Sequence, residues 1–228
     1  MTDQLEDFGD LEFAENAAQR SPFVLVLDCS DSMTEVRPGQ DRSPLEALNG
    51  GLDRLVTALH ADPLARKRAE VSFVAYGTEV ADPTEFVTVD NLVLPELKPL
   101  GITASGAALN AAFDAVEARK ATYKENGIGY TRPTVLWLSD GLATDDTSEA
   151  KRRIAEYTEK KKLTLFPIAV EGADMDAMSE VAGKQALKIS GLKFEELFLW
   201  LSASAAALSA SSPGDKVAAP SPEGWAEL

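Results

Sequence analysis

Cysteine, histidine and positive charge are all scarce in this chain, and each shortage removes a class of function. A single cysteine, Cys29, excludes an internal disulfide and points to a reducing compartment, the cytosol. A single histidine, His60, is too little, with that one cysteine, for the usual nitrogen/sulfur zinc site. It also makes a Ser-His-Asp triad a poor fit, because the triad would have to recruit the end of a helix. There are 22 Lys and Arg against 37 Asp and Glu, a formal net charge of -15. Nucleic acids and anionic membranes need clustered cations, so neither is an expected partner. Two short basic clusters, Arg66-Lys67-Arg68 and Lys160-Lys161-Lys162, read as solvated helix ends. No apolar run approaches the ~20 residues of a membrane-spanning helix. The opening stretch, with Asp3, Glu6, Asp7, Asp10, Glu12 and Glu15, is the opposite of a cationic secretion signal. Gly101 to Gly106 lacks the lysine of a phosphate-binding loop.

What is present is enough for one well-packed domain. Phe23 to Asp28 and Thr134 to Ser139 are nearly unbroken apolar runs, as in parallel strands buried on both faces. Ser43-Pro44 opens a helix, with serine as N-cap and proline in the first turn. Leu45, Leu48, Leu52, Leu55, Val56 and Leu59 line one stripe of it. Glu70 to Tyr76 is a strand closed by Gly77, and Glu85 to Val89 a weaker, half-polar one expected at an edge. Thr103 to about Lys120 is an alanine-rich helix, 124 to 133 a loop, and Ser148 to Lys161 a helix. Leu163 to Val170 is a strand whose Pro167 removes a ladder donor, so a bulge or an edge-facing amide is expected there. A short helix (Asp174 to Val181), a short strand (Ala186 to Ile189) and a last helix through Phe194, Leu197, Phe198 and Leu201 follow. This alternation predicts an α/β fold, a doubly wound, mostly parallel, Rossmann-like sheet flanked by helices, with one antiparallel edge strand. The expected organisation is an acidic lead-in at 1–20, one domain at 21–211 and a Pro/Gly-containing tail at 212–228. Trp225 in that tail is expected to dock, most simply on its own chain.

In a doubly wound sheet, ligands sit beyond the carboxyl ends of the strands where the strand order reverses. Asp28, Ser30 and Ser32 emerge at such an end, alternate in sequence, and can turn three oxygens toward one point. Asp140 emerges at another, and Thr103 stands just before a helix. Hard divalent cations such as Mg²⁺ take all-oxygen sites of this kind. Each piece alone has a plainer meaning. Ser/Asp clusters after strands satisfy their own backbone, Thr103 or Ser105 can be a helix N-cap, and Asp140-Gly141 is a turn signal. Cys29 reads as a small buried filler, since a nucleophile needs a base and the only histidine is remote.

Asp28, Ser30, Ser32, Thr103 and Asp140, in that order and on those elements, resemble the metal-ion-dependent adhesion site of von Willebrand factor type A domains, whose signature is Asp-x-Ser-x-Ser, a distant Thr and an Asp usually followed by Gly. The resemblance runs from about Ser21 to Ser211. Within the family the chain is similar to bacterial intracellular proteins of the YegL/TerY type. It shares Asn49-Gly50-Gly51-Leu52 with Ala61-Asp62-Pro63, Tyr123 to Ile128, Gly172-Ala173-Asp174-Met175 and Gly191 to Phe198. One departure is Ile102, where such chains more often have glycine.

The resemblance implies that the Ser30, Ser32 and Thr103 hydroxyls touch the metal while Asp28 and Asp140 act largely through bound water. It implies Mg²⁺, with Mn²⁺ or Ca²⁺ as alternatives, and a non-enzymatic cytoplasmic module that binds another protein's Asp or Glu carboxylate through the cation. It further implies a protein kinase or PP2C-type phosphatase as partner, in tellurite or stress responses. The competing expectations are a metal-dependent phosphatase or other hydrolase using Asp28, and a scaffold with a vestigial site. Aspartyl phosphatases place a second carboxylate two residues after the nucleophile, and here that position is Ser30.

Overall fold

The structure, a computed structural model, describes residue 13 and residues 16–141, 143–211 and 217–227. Most of the acidic lead-in and residues 212–216 therefore lie outside the described residues. Among the described residues seven strands, β1 (Ser21–Asp28), β2 (Ala69–Tyr76), β3 (Val87–Thr88), β4 (Thr134–Ser139), β5 (Thr164–Ala169), β6 (Leu187–Ile189) and β7 (Ala226–Glu227), form one sheet in the order β3-β2-β1-β4-β5-β6-β7. The central strand β1 (Ser21–Asp28) is buried at every position. It pairs in parallel with β2 (Ala69–Tyr76) on one side and β4 (Thr134–Ser139) on the other. The chain runs outward from β1 to β2 and then returns to add β4 on the opposite flank. The strand order thus reverses between β1 and β4, and the crevice there is where a ligand is expected.

Alternate residues of β1 feed two cores. Phe23, Leu25 and Leu27 join a cluster with Leu48, Leu52 and Leu55 of α1 (Pro44–Ala61) and Phe194, Phe198 and Leu201 of α6 (Phe194–Ala210). Val24 and Val26 join the other. There they meet Leu109 and Phe113 of α3 (Ser105–Glu125), Ile154 of α4 (Ser148–Glu159) and Met178 of α5 (Met175–Ala182). The predicted start of α1 is present as a full capping box, Ser43 and Glu46 each closing on the other's backbone N–H. The Arg66-Lys67-Arg68 cluster forms the last turn of the short helix α2 (Pro63–Arg68), where cations were expected. Among the described residues no helix is long and apolar enough to cross a membrane.

Two expectations shift, and that for Pro167 is met by the second of its alternatives, the unpartnered flank. The edge strand predicted at Glu85–Val89 contracts to β3 (Val87–Thr88), antiparallel to β2. The residues before it are held by other means: Thr84 Oγ1 accepts from Phe73 N at 2.9 Å, and Ser72 Oγ donates to Thr84 O at 2.7 Å. The alanine-rich helix, expected to end near Lys120, continues to Glu125 because Tyr123 is fully buried. Its hydroxyl donates to Glu70, and its ring lies between Phe13 and Tyr130. Pro167 sits in β5 (Thr164–Ala169) without a bulge, since the register to β4 runs through it from Thr134↔Thr164 to Ser139↔Ala169. On its other flank β6 (Leu187–Ile189) pairs only with Ile168 and Ala169. The proline therefore stands where one side of the strand has no partner to supply.

The tail adds a strand. β7 (Ala226–Glu227) pairs antiparallel with β6, and Ser190 N donates to Trp225 O at 2.7 Å. Trp225 is 1 % exposed, with its ring 5.3 Å from that of Trp200. It docks on its own chain and caps the apolar layer beside α6. At the opposite edge from the crevice, Glu70 is fully buried between Arg20 Nε at 2.6 Å and Arg119 Nε at 2.8 Å. Its charge is neutralised there rather than hydrated. Trp225→Ala should cost about 3–5 kcal/mol, read as a lower urea midpoint at unchanged slope; a cost near zero would mean that the tail does not contribute to the folded unit.

Candidate metal centre

The exit of β1 is shaped by one buried carboxylate. Asp28 is fully buried, and both its oxygens are engaged from within the protein. Oδ1 accepts from Ser30 N at 2.8 Å, and Oδ2 accepts from Ser139 Oγ at 2.6 Å. The first bond turns the chain immediately after the strand, and the second fastens the exit of β1 to that of β4. Ser30 is thereby placed at the start of a short 3₁₀ turn spanning Asp31–Thr34, and Ser32 within it.

Three of the five residues singled out by the sequence converge directly. Ser30 Oγ and Ser32 Oγ are 3.1 Å apart, and Asp140 Oδ1 lies 2.8 Å from Ser32 Oγ and 3.5 Å from Ser30 Oγ. Asp28 lies beneath them, joined through Ser30 N and Ser139. Thr103 stands beside them: its hydroxyl is 3.6 Å from where a Cβ on Gly141 would sit. Its carbonyl accepts from Thr144 N at 2.8 Å and Thr144 Oγ1 at 3.0 Å. Neither Thr103 nor Ser105 caps the following helix. Asp145 does so from another loop, accepting from Gly106 N at 3.0 Å and Ala107 N at 2.8 Å. Gly106 permits that approach, since a Cβ there would meet Asp146 O at 2.4 Å. On the β2 side, Leu100 crosses the end of the strand so closely that a Cβ on Gly77 would lie 2.3 Å from its carbonyl oxygen.

Beneath the site the Tyr76 hydroxyl donates to Leu138 O at 3.3 Å, and Trp137 Nε1 donates to it at 3.1 Å. Ser105 Oγ lies 3.4 Å away. This hub ties the start of α3 to β2 and β4. Burial, and then the Asp28 charge, hold the Tyr76 phenol well above its ordinary pKa, so it remains a neutral hydroxyl.

Sequence reasoning missed Ser139, Asp145 and above all Arg37. Arg37 Nη2 donates to Asp140 Oδ2 at 2.9 Å. Asp140 is thus held by serine hydroxyls on one oxygen and a guanidinium on the other. Burial still pushes its carboxyl above the ordinary range; the Ser32 hydrogen bond pulls it back, the Asp28 charge adds to the rise and Arg37 opposes it. The site is a cluster of hard oxygens in which one carboxylate remains under-compensated. Among the described residues no three His, Cys, Asp or Glu side chains gather as a metal cluster, so any cation here relies on hydroxyls as well as carboxylates. That donor set fits a hard, partly hydrated divalent ion. His60 is remote, at the end of α1 with Nδ1 3.5 Å from Asp90. Cys29 faces inward; burial first, then Asp28, pushes its thiol up to about 12. Iodoacetamide at pH 8 should therefore leave the native chain unmodified over a period that fully labels the urea-unfolded chain, as read by mass spectrometry.

Comparisons with known proteins bear on the family and the fold. The profile of the von Willebrand factor type A domain matches residues 23–196. No curated protein matches the chain. Among solved structures it is similar to the pilus adhesin SpaC from Lactobacillus rhamnosus GG, with a TM-score of 0.61 and 13% identity over 83% of this chain and 31% of that one. The PilB minor pilin from Streptococcus sanguinis gives 0.56 and 13%, over 84% and 63%. Proximal thread matrix protein 1 from the mussel byssus, with a zinc-occupied MIDAS motif, gives 0.53 and 13%, over 82% and 47%. The chain therefore spans less than two thirds of each of these chains, and likenesses at such identities concern the fold.

Proposed function

The chain belongs to the von Willebrand factor type A domain family, commonly a metal-dependent protein-interaction module, and we propose that Ser30, Ser32 and Thr103 hold a divalent cation by their hydroxyls while Asp28 and Asp140 act largely through bound water. Bound there, Mg²⁺ supplies an open coordination position for a carboxylate oxygen from an Asp or Glu of a partner protein. The observation that carries this reading is the convergence of Ser30 Oγ, Ser32 Oγ and Asp140 Oδ1 within 3.5 Å above the clamped Asp28. Neutral hydroxyls and two carboxylates leave a divalent charge incompletely neutralised, which favours one further anionic oxygen from outside. The all-oxygen set favours Mg²⁺, with Mn²⁺ and Ca²⁺ as substitutes.

Asp28 is ill placed for the alternative of phosphoryl transfer. It is fully buried with both oxygens engaged, so it has no path to an external phosphorus atom. On the Asn49-to-Leu52, Gly172-to-Met175 and Gly191-to-Phe198 segments we assign the chain to the bacterial YegL/TerY type, acting in the cytoplasm. That assignment makes a protein kinase or PP2C-type phosphatase of a tellurite or stress response the first partner to test. We also take 21–211 as the domain, with Arg20 and the Trp225 segment fastened to it.

Ser139→Ala is a cleaner probe than Asp28→Ala, because it loosens Asp28 without leaving a hole in the turn. It should lower Mg²⁺ affinity about 10–100-fold by calorimetry, at nearly unchanged far-ultraviolet circular dichroism. Partner recovery from the source cell should fall with EDTA and with Ser32→Ala; recovery indifferent to both would sink the reading.

A further inference from the structure

Five large apolar side chains are exposed among the described residues: Val36, Val93, Leu100, Ile102 and Leu199. Isolated cases need no explanation, but apolar groups gathered around a site mark an interaction surface. Three of the five, Val36, Leu100 and Ile102, stand in the loop stretches beside the candidate metal centre, and Val93 lies at the far end of the 92–104 loop. Leu100 N donates to Cys29 O at 2.7 Å, Asp31 N donates to Gly101 O at 2.7 Å, and Thr78 N donates to Leu100 O at 2.6 Å. These bonds lay Leu100 and Ile102 over the ends of β1 and β2. Ile102, 56 % exposed, is the most open of the three after Val36.

The opposite flank carries a cation. The loop following the Asp31–Thr34 turn brings Arg37 across to β4 and β5. There its guanidinium meets Asp140 and runs past Gly172, where a Cβ would come within 3.4 Å of it. Gln40 in the same loop donates to Glu171 Oε2 at 2.8 Å. The seat is only half satisfactory. Arg37 Nη1 is buried without a hydrogen-bond partner, and so is Gln40 Oε1. A buried donor left unmet offsets much of what the Asp140 ion pair contributes. A guanidinium with five donors is best matched by a carboxylate that accepts two of them side by side. Along the sheet edge the order is therefore apolar pair, oxygen cluster, guanidinium.

Resting on the carboxylate-binding reading above, we propose that this face selects a partner-protein segment in which an acidic side chain has an apolar neighbour. Arg37 leaves its incomplete seat on Asp140 to donate to the bound carboxylate, and Leu100 and Ile102 cover the neighbouring side chain. The charge count supports an acidic occupant once the site is loaded: Asp28 and Asp140 outweigh Arg37 in the protein alone, and a bound divalent cation would turn the cluster net positive within a chain of net charge -15.

The test is to pan a random phage-displayed peptide library on the immobilised full chain in Mg²⁺ and elute with EDTA. Eluted peptides should be enriched in Asp or Glu next to Leu, Ile, Val or Phe. On Ile102→Ser the preference for the apolar neighbour should fall several-fold. Val93→Ser, an exposed position following the strand that ends beside Glu70 at the far edge of the sheet, should retain it. A synthetic peptide from the enriched pool should bind Arg37→Ala about tenfold more weakly in fluorescence anisotropy, ~1.4 kcal/mol, measured at a Mg²⁺ concentration that calorimetry shows to saturate the variant. If no acidic peptide elutes with EDTA, the carboxylate-binding reading fails and takes this proposal with it. If acidic peptides elute without a neighbour preference, or with one that Ile102→Ser leaves intact, this proposal alone is overturned, as it is if Arg37→Ala binds the peptide normally. A Mg²⁺-dependent dimer in sedimentation, abolished by Ile102→Ser, would assign the face to a second copy of the chain and likewise overturn it.

Discussion

Everything at the top of this sheet depends on one fully buried carboxylate. Burying the charge of Asp28 is costly unless each oxygen is hydrogen-bonded, and the two available donors lie on different strands' exits: Ser30 N after β1 and Ser139 Oγ at the end of β4. Satisfying one group therefore fixes the relative position of two loops. The 3.1 Å spacing of the serine hydroxyls and the placing of Asp140 above them follow from that clamp. The apolar pairing of β1 with β4 supplies the rigidity against which it acts.

The two edges of the sheet handle buried acid differently. At the lower edge Glu70 is closed off by two arginines and a tyrosine hydroxyl, a completed network with no place for a ligand. At the upper edge Asp140 has one guanidinium and hydroxyls, and its carboxyl stays above its ordinary range, chiefly through burial. An incompletely compensated acid beside a half-seated arginine can exchange partners, whereas the lower network serves only to hold the structure together.

The legible parts of the sequence were those with a period or a local signature. Unbroken apolar runs disclosed β1 and β4, Ser43-Pro44 disclosed the start of α1, and alternating oxygens after Leu27 disclosed Asp28, Ser30 and Ser32. What escaped had its partner far away in sequence. Asp145 looks like loop polarity, yet it caps a helix 39 residues earlier. Ser139 looks like a small residue finishing a strand, yet it reaches a carboxylate 111 residues away. Arg37 lies in a non-periodic loop with proline and glycine neighbours, where nothing local points toward Asp140. The end of α3 at Glu125 is hidden for the same reason: burial of Tyr123 against Glu70 and the Tyr130 ring carries the helix past Lys120.

The pairing of β6 with β7 has a consequence for the order in which the molecule is completed. A ribosome releases β6 and Trp200 well before Ala226 and Glu227, so for an interval the sheet ends on a short open edge beside an uncovered indole. Such edges recruit strands from other chains. The lysine at position 188 puts a charge on β6 during that interval, and the same ammonium later meets Glu227 at 2.7 Å when β7 arrives. One side chain thus places a charge on the β6 edge and pairs directly across it with the strand that covers it.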